Sequence, residues 1–429
     1  MTTRNRQLRV DSLARVEGMG ALRIIVDDGR VEHAELDIYE PPRFFEAFLR
    51  GRAYTEPPDL TARICGICPV AYQTSACNAL EQLCGVELDP QLRALRRLLY
   101  CGEWISSHAL HIHLLHLPDF LGYPDAVTLA ADHRDLVEQG LALKKAGNSI
   151  LELLGGRAIH PINVRVGGFH RTPERTELAV LIEQLCRAQD YIVTTAGFAA
   201  RLDFPDLELE HDLLAAHGDR YPIETGDVHT AAGGGFTAAE FPRHVTEWQV
   251  PHSTALHAAV DGHHYLTGPL ARYSLNHSTL SPAARQLAAE IGLADSCRNP
   301  FRSILVRCVE TYYAIEEALR LIADYQRPAR PAVPIAPRAG TGHGVSEAPR
   351  GLLYHRYETD ADGVIRSATI IAPTSQNQSA IEDGLRRIVS DNLKLNDTAL
   401  TALCERMIRN YDPCISCAAH FLTLDVMRR

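Results

Sequence analysis

Arg63-Ile-Cys65-Gly-Ile-Cys68-Pro69 near one end of the chain and Asp412-Pro-Cys414-Ile-Ser-Cys417-Ala-Ala-His420 near the other each carry a Cys-x-x-Cys pair. Four thiolates make a donor set for a soft transition metal. Pairs so distant in sequence can share one site only where the fold joins the two ends of the chain, so the site is a feature of tertiary structure. The same residues could bind structural zinc or an iron-sulfur cluster, but zinc ribbons place their pairs about 15–20 residues apart, against roughly 345 here. Disulfides are disfavoured as well. A chain of 429 residues with 11 Cys and no apparent secretory signal reads as reduced and cytoplasmic.

Outward from the cysteines, texture divides the chain. Apolar and polar residues alternate over 8–38, interrupted by Asp27-Asp28-Gly29-Arg30, which predicts an antiparallel hairpin. Three- and four-residue apolar spacing over 71–201, strongest at 91–117 and 135–154, predicts long helices packed as a bundle. Residues 203–251, rich in Gly, Pro and Thr, read as an irregular insertion, after which 283–291 and 304–325 return to helix. The Pro-rich stretch 328–337 reads as an extended surface segment. A strand pair, 351–359 and 364–372, and helices over 379–410 then lead to the second cysteine pair.

The expected fold class is α+β, predominantly α, a long-helix bundle with small antiparallel β units. It forms one domain over 1–429: an N-terminal β unit (1–60), a helical body (61–330), a strand pair with the C-terminal metal-binding segment (331–420), and an extension (421–429). Hydrophobic residues at 46% suffice for a large core. A net charge of −10 argues against nucleic-acid binding, and no apolar run approaches the about 18–20 residues of a membrane span.

Further motifs accompany the cysteines in order: Arg15-Val-Glu-Gly18, Arg43-Phe-Phe-Glu46, Glu347-Ala-Pro-Arg-Gly351 and Pro373-Thr-Ser-Gln-Asn377. Together they resemble the nickel-iron hydrogenase large subunit over essentially the whole chain. The Pro-Arg-Phe-Phe-Glu form and Ser-His-Ala-Leu-His at 107–111 look most like the soluble NAD(P)-linked enzymes, including sulfhydrogenases. The resemblance implies the fold of that subunit and reversible hydrogen oxidation at a nickel-iron centre whose iron carries carbon monoxide and cyanide.

Residue roles follow from the resemblance. Cys65 and Cys414 would be terminal nickel ligands, with Cys68 and Cys417 bridging nickel to iron. Glu17, which alone would pass for an ordinary strand glutamate, would take the proton beside Cys414. Arg350, otherwise a surface charge, would lie with Pro349 over the metals; Pro373 and Thr374 would approach the iron's diatomic ligands. Asp412, which could equally serve a local turn, would complete the polar canopy. Glu46, the Ile370 carbonyl and His420 would hold magnesium or a second iron.

Some positions depart from the family: Tyr72 stands where many members have His, Ser107 where many have Asp, and Met19 where His is frequent. Cys77, Cys84, Cys101, Cys186, Cys297, Cys308 and Cys404 form no second cluster and read as core residues. His108, His111, His113 and His116, lacking carboxylate partners, read as a polar seam or a subunit contact.

No dinucleotide fingerprint is present, since Gly340-Thr-Gly-His-Gly344 is only a lone glycine cluster. Electrons are therefore expected to leave through an iron-sulfur small subunit to a flavin-bearing, NAD(P)-binding diaphorase-type partner in a heteromeric complex. Competing functions are a hydrogen sensor and a metal-free scaffold, the latter opposed by the intact cysteines. Maturation factors and a C-terminal protease are expected partners, with cleavage just after His420.

Overall fold

Asp27 and Arg30 flank a two-residue turn in which Asp28 and Gly29 both take positive φ, 43° and 75°. This geometry suits the right-handed twist of a hairpin. A computed structural model of the chain describes residues 5–419, and in it strands Gly20–Asp27 and Arg30–Ile38 pair antiparallel across this turn. Leu22, Ile24 and Val26 alternate inward opposite Ala34, Leu36 and Ile38, and Arg6–Val10 adds a third strand at the edge.

The long helices expected from periodicity are Pro69–Cys84, Pro90–Ala109, Arg134–Gly155, Ile182–Ala199 and Ser303–Asp324. Asp89 starts the second by accepting the Gln91 amide at 2.8 Å, directly before Pro90, whose missing N–H costs nothing at a helix start. This helix continues into a π-helical stretch, Leu110–His116, and on to Leu117–Leu121. Two short strands, Val164–Arg165 and Gly168–Phe169, interrupt the helical body. The Pro-rich segment runs beside them, Phe169 donating to the Pro331 carbonyl and Val333 to that of Gly167.

Two expectations need correction. The supposedly irregular 203–251 contains strands Asp212–His217, Asp227–Thr230, Gly235–Phe236 and Val245–Trp248. Each is six residues or fewer, too short for a period-two signal to emerge from Gly- and Thr-rich surroundings. The first three join Tyr265–Leu266 in a sheet whose Tyr265–Asp212 pairing is parallel, so not every β unit is antiparallel.

The glycine cluster at 340–344 is the start of a strand, Gly340–Ala348, paired with Gly351–Thr359, which in turn pairs with Ile365–Ile371. Glycine is required there because the strand presses on the Pro69–Cys84 helix: a Cβ on Gly344 would lie 2.5 Å from the Ala79 nitrogen and from the Ser75 carbonyl oxygen. Helices Gln378–Asp391 and Asp397–Asn410, the second capped by Asn396 at the Ala399 amide, deliver the chain to Cys414. Among the described residues no helix is long and apolar enough to cross a membrane.

Candidate metal centre

The two cysteine pairs meet. Cys65 Sγ lies 3.4 Å from Cys414 Sγ, Cys68 Sγ 3.7 Å from Cys417 Sγ, and the Cys414 and Cys417 sulfurs are 2.8 Å apart. All four sulfurs are buried, lie within 4.8 Å of one another and belong to free cysteines. Such spacings are far from the about 2.05 Å of a disulfide and match sulfurs gathered for soft metal ions with bonds near 2.3 Å. The donor set therefore fits a thiolate-held metal centre.

Local structure sets each half. The turn Ala62–Ile64 ends at Cys65, whose sulfur accepts the amides of Ile67 at 3.3 Å and Cys68 at 3.2 Å. Pro69 then opens a helix with Cys68 at its cap position. The amides of this first turn that lack a partner within the helix are met by the buried Glu103, from the neighbouring helix, at 2.6 Å to Val70 and 3.0 Å to Ala71. Arg43 ties the two cysteine segments together, donating to the carbonyls of Ile64 at 2.6 Å, Arg63 at 3.0 Å and Ser416 at 3.3 Å.

Glu17 lies against the second pair. Its Oε2 is 3.1 Å from Cys414 Sγ and accepts the Ser416 amide at 3.0 Å, while Oε1 accepts the Ser416 hydroxyl at 2.5 Å. Backbone pairing reinforces this contact, Ile415 N–H donating to the Glu17 carbonyl at 2.9 Å. Thr374 Oγ1, in the turn opened by Pro373, accepts the Cys414 amide at 2.9 Å.

Arg350 lies in the two-residue turn between strands Gly340–Ala348 and Gly351–Thr359. Fully buried, it donates through Nε to the Asp412 carbonyl at 2.8 Å and through a terminal nitrogen to Asp412 Oδ1 at 3.1 Å, with a longer 3.4 Å contact to Ser107. Asp412 itself adopts φ 51°, in the left-handed region. Burial opposes charge at every group here. Cys65 is nonetheless held well below the usual thiol range by hydrogen bonds from Cys414, Cys417 and Cys68 and by the Arg350 guanidinium. Burial pushes Cys414 up.

Glu46 and Ile370 are neighbours, the Ile370 amide N–H donating to Glu46 Oε1 at 2.7 Å. They border a cavity of about 140 Å³ shared with Arg43, Ser416 and Cys417. His420, the third residue of that expected set, and the extension 421–429 lie outside the described residues.

Sequence reasoning assigned no role to Glu103, Arg43 or Ser416, nor to a buried ionic network behind Arg350. There Arg272 bridges Glu310 and Glu347, its guanidinium 4.5 Å from the Trp104 ring, and His108 lies 3.0 Å from Glu310. Burial pushes Glu347 up to about 7 despite Arg272, whereas Arg272 and His108 outweigh burial at Glu310 and hold it well below the usual range. His108 thus has a carboxylate partner after all, supplied by a helix remote in sequence. His111 and His116 form the expected polar seam, reaching the Arg409 carbonyl at 2.7 Å and Asn410 at 2.9 Å. Of the seven other cysteines all are buried except Cys186. A charged residue on an apolar helix face was the available signal for Glu103 and Glu310.

Comparison with known proteins agrees with this geometry. The family model described as nickel-dependent hydrogenase matches residues 43–139 and 261–420. The chain is 32% identical to sulfhydrogenase 1 subunit alpha of Pyrococcus furiosus over 97% of its length and 98% of the relative's. It is 34% identical to sulfhydrogenase 2 subunit alpha of the same organism, over 97% of this chain and 100% of that one. Among solved structures, a chain of an NAD+-reducing [NiFe]-hydrogenase in the H2-reduced state superposes with a TM-score of 0.87 at 29% identity, covering 97% of this chain and 99% of that one. With the four sulfurs gathered as a metal centre requires, the chain belongs to the nickel-dependent hydrogenase large-subunit family and is an oxidoreductase acting on hydrogen.

Proposed function

We propose that the four cysteines hold a nickel-iron centre at which hydrogen is split into electrons and protons, and that the electrons pass through an iron-sulfur small subunit and a flavoprotein to NAD(P) in the cytoplasm. The observation that carries the reading is a carboxylate oxygen 3.1 Å from one of four convergent sulfurs. Cys65, Cys414, Cys68 and Cys417 would together hold the nickel and the iron, with carbon monoxide and cyanide as the iron's further ligands. Bound there, the metals supply the electron-accepting half of heterolytic cleavage.

The protein supplies the other half. Glu17 Oε2 is placed to accept a proton at the Cys414 sulfur. Oε1 holds the Ser416 hydroxyl, and Ser416 borders the cavity lined by Glu46, so a proton has an outlet from Glu17 toward that cavity. Arg350, fixed by Asp412, sets a permanent cation beside the thiolates, and Thr374 orients the Cys414 backbone. Pro349 and Pro373 frame the space for the iron's small ligands. Glu46, Ile370 and His420 are assigned to magnesium or a second iron, and removal of 421–429 after metal insertion completes the subunit.

The NAD(P) route rests on likeness to the NAD+-reducing enzyme and on the absence of a nucleotide fingerprint. Metal analysis of the purified complex, paired with hydrogen-dependent dye and NAD(P) reduction, tests the reading. Nickel should be present at one per chain and lost on Cys68→Ser. The assembled complex, but not this chain alone, should reduce NAD(P) with hydrogen. A complex that splits hydrogen yet reduces neither nicotinamide would overturn the electron route while leaving the metal assignment standing.

A further inference from the structure

Away from the cysteines, His252, His257 and Glu382 direct donor atoms at one another from three separate elements. His252 lies in the segment before strand His257–Val260, and Glu382 on the first turns of helix Gln378–Asp391. His252 Nε2 is 2.8 Å from Glu382 Oε1 and His257 Nε2 is 3.1 Å from Oε2, and one donor atom from each residue lies within 4.8 Å of the others. The two rings stand nearly perpendicular, 85° apart, with centroids separated by 5.6 Å. His257 and Glu382 are buried, whereas His252 is partly exposed.

From this geometry we propose a second metal site, in which His252 Nε2, His257 Nε2 and the Glu382 carboxylate bind a zinc-type divalent cation, with a remaining position open on the His252 side. Bonds of about 2.0–2.1 Å to one ion put neighbouring ligand atoms about 2.8–3.4 Å apart, the range of the two nitrogen-oxygen distances at Glu382. Two imidazoles and a carboxylate form a borderline nitrogen-oxygen set, chemically unlike the all-sulfur centre, so the two sites select different ions. The surroundings are negative: Asp37 and Glu35, from strand Arg30–Ile38, both act electrostatically on His252. The Leu36 amide, from the same strand, orients Glu382 Oε1 at 3.1 Å, a backbone contact of the kind that fixes metal-binding carboxylates.

The site has a structural consequence. Between the two histidines, Thr254 donates its amide to the Ile38 carbonyl at 2.7 Å and Ala255 pairs with Ala419, two residues after Cys417. A cation at Glu382 would therefore pin the segment against which the C-terminal cysteine segment is seated.

The test uses the assembled, nickel-loaded enzyme, given one zinc ion per nickel, desalted, and examined by metal analysis and zinc-edge X-ray absorption. One zinc should be retained per nickel, with a nitrogen-oxygen shell at about 2.0–2.1 Å and no sulfur. Glu382→Gln and His257→Ala should each weaken zinc retention at least about tenfold at unchanged nickel content. His264→Ala, which removes the partner of the adjacent Asp383, should leave it intact. Should the buried variants not fold, His252→Ala on the exposed side makes the same comparison. No retained zinc in the parent enzyme, zinc in a sulfur shell, or full retention by the ligand variants would each overturn the proposal.

Discussion

Glu17 and Cys414 are joined twice, once through the backbone as a parallel β-bridge and once through the side chains at 3.1 Å. The double attachment means that the position of a carboxylate near the N-terminus and that of a thiol near the C-terminus are a single structural variable. Glu17→Gln retains an oxygen able to accept from Ser416 but removes the basic carboxylate. Hydrogen-dependent dye reduction should fall about 10²- to 10⁴-fold, with hydrogen-deuterium exchange against heavy water falling in step. Nickel content and Tm should be unchanged. A variant keeping more than a tenth of the parent rate would remove Glu17 from the proton path.

Gly18 makes the close approach possible. Its φ is 92°, and a Cβ there would lie 2.6 Å from Ile415 Cβ and 2.7 Å from Glu40 Oε2. Gly18→Ala combines left-handed strain with overpacking and should cost about 1–3 kcal/mol. Because the clash falls on the residue after Cys414, nickel retention should drop along with Tm, read by metal analysis and thermal unfolding. An unchanged Tm would show that the bridge can open without cost.

Asp119 clamps both sides of that bridge. Arg15, two residues before Glu17, and Arg409, five before Cys414, both donate to its carboxylate. Burial opposes its ionisation, but the hydrogen bonds and charge of Arg409 outweigh burial and hold the group below the usual aspartate range. A depressed folded-state value contributes stability that is present above the unfolded value, about 3.9, and disappears as pH falls through the folded one. Asp119→Asn removes the carboxylate charge shared by the buried Arg409 and the partly buried Arg15, leaving Arg409 only the longer ionic contact to Glu405, so the stability gap to the parent should be about 3 kcal/mol near neutral pH. It should shrink progressively below about pH 4. Thermal unfolding across pH 2.5 to 7 measures it, and a gap independent of pH would exclude the linkage.

Legibility in the sequence followed the range of the interaction. The hairpin at Asp28-Gly29 is decided within a few residues, so local pattern suffices to place it. The cysteine pairs, Glu17 and Arg350 were legible through motif resemblance, and the structure brings them to one place. What could not be read was pairing between distant buried groups. Nothing local to His108 announces Glu310, and nothing local to Cys68 announces that Glu103 will meet the helix amides behind it. The Gly340–Ala348 strand was missed because its glycines answer to contact with Ala79 rather than to strand propensity.

Arg350 provides the sharpest separation of charge from geometry. Its planar guanidinium donates in three directions, to the Asp412 carbonyl, to Asp412 Oδ1 and, more weakly at 3.4 Å, to Ser107. Asp412 is held with φ 51°, two residues before Cys414, so the same fork that sets a cation beside the thiolates also fixes the backbone leading to a proposed nickel ligand. Arg350→Lys keeps the charge, but a single ammonium cannot meet both Asp412 acceptors in the same geometry. Dye reduction should fall about 10²-fold, the scale expected for losing one preorganised electrostatic group, while nickel content stays at the parent level. Ser107→Ala, which removes only the longest contact, should change the rate less than about threefold. If Arg350→Lys and Ser107→Ala proved equally mild, the guanidinium fork would carry no catalytic advantage over a bare positive charge.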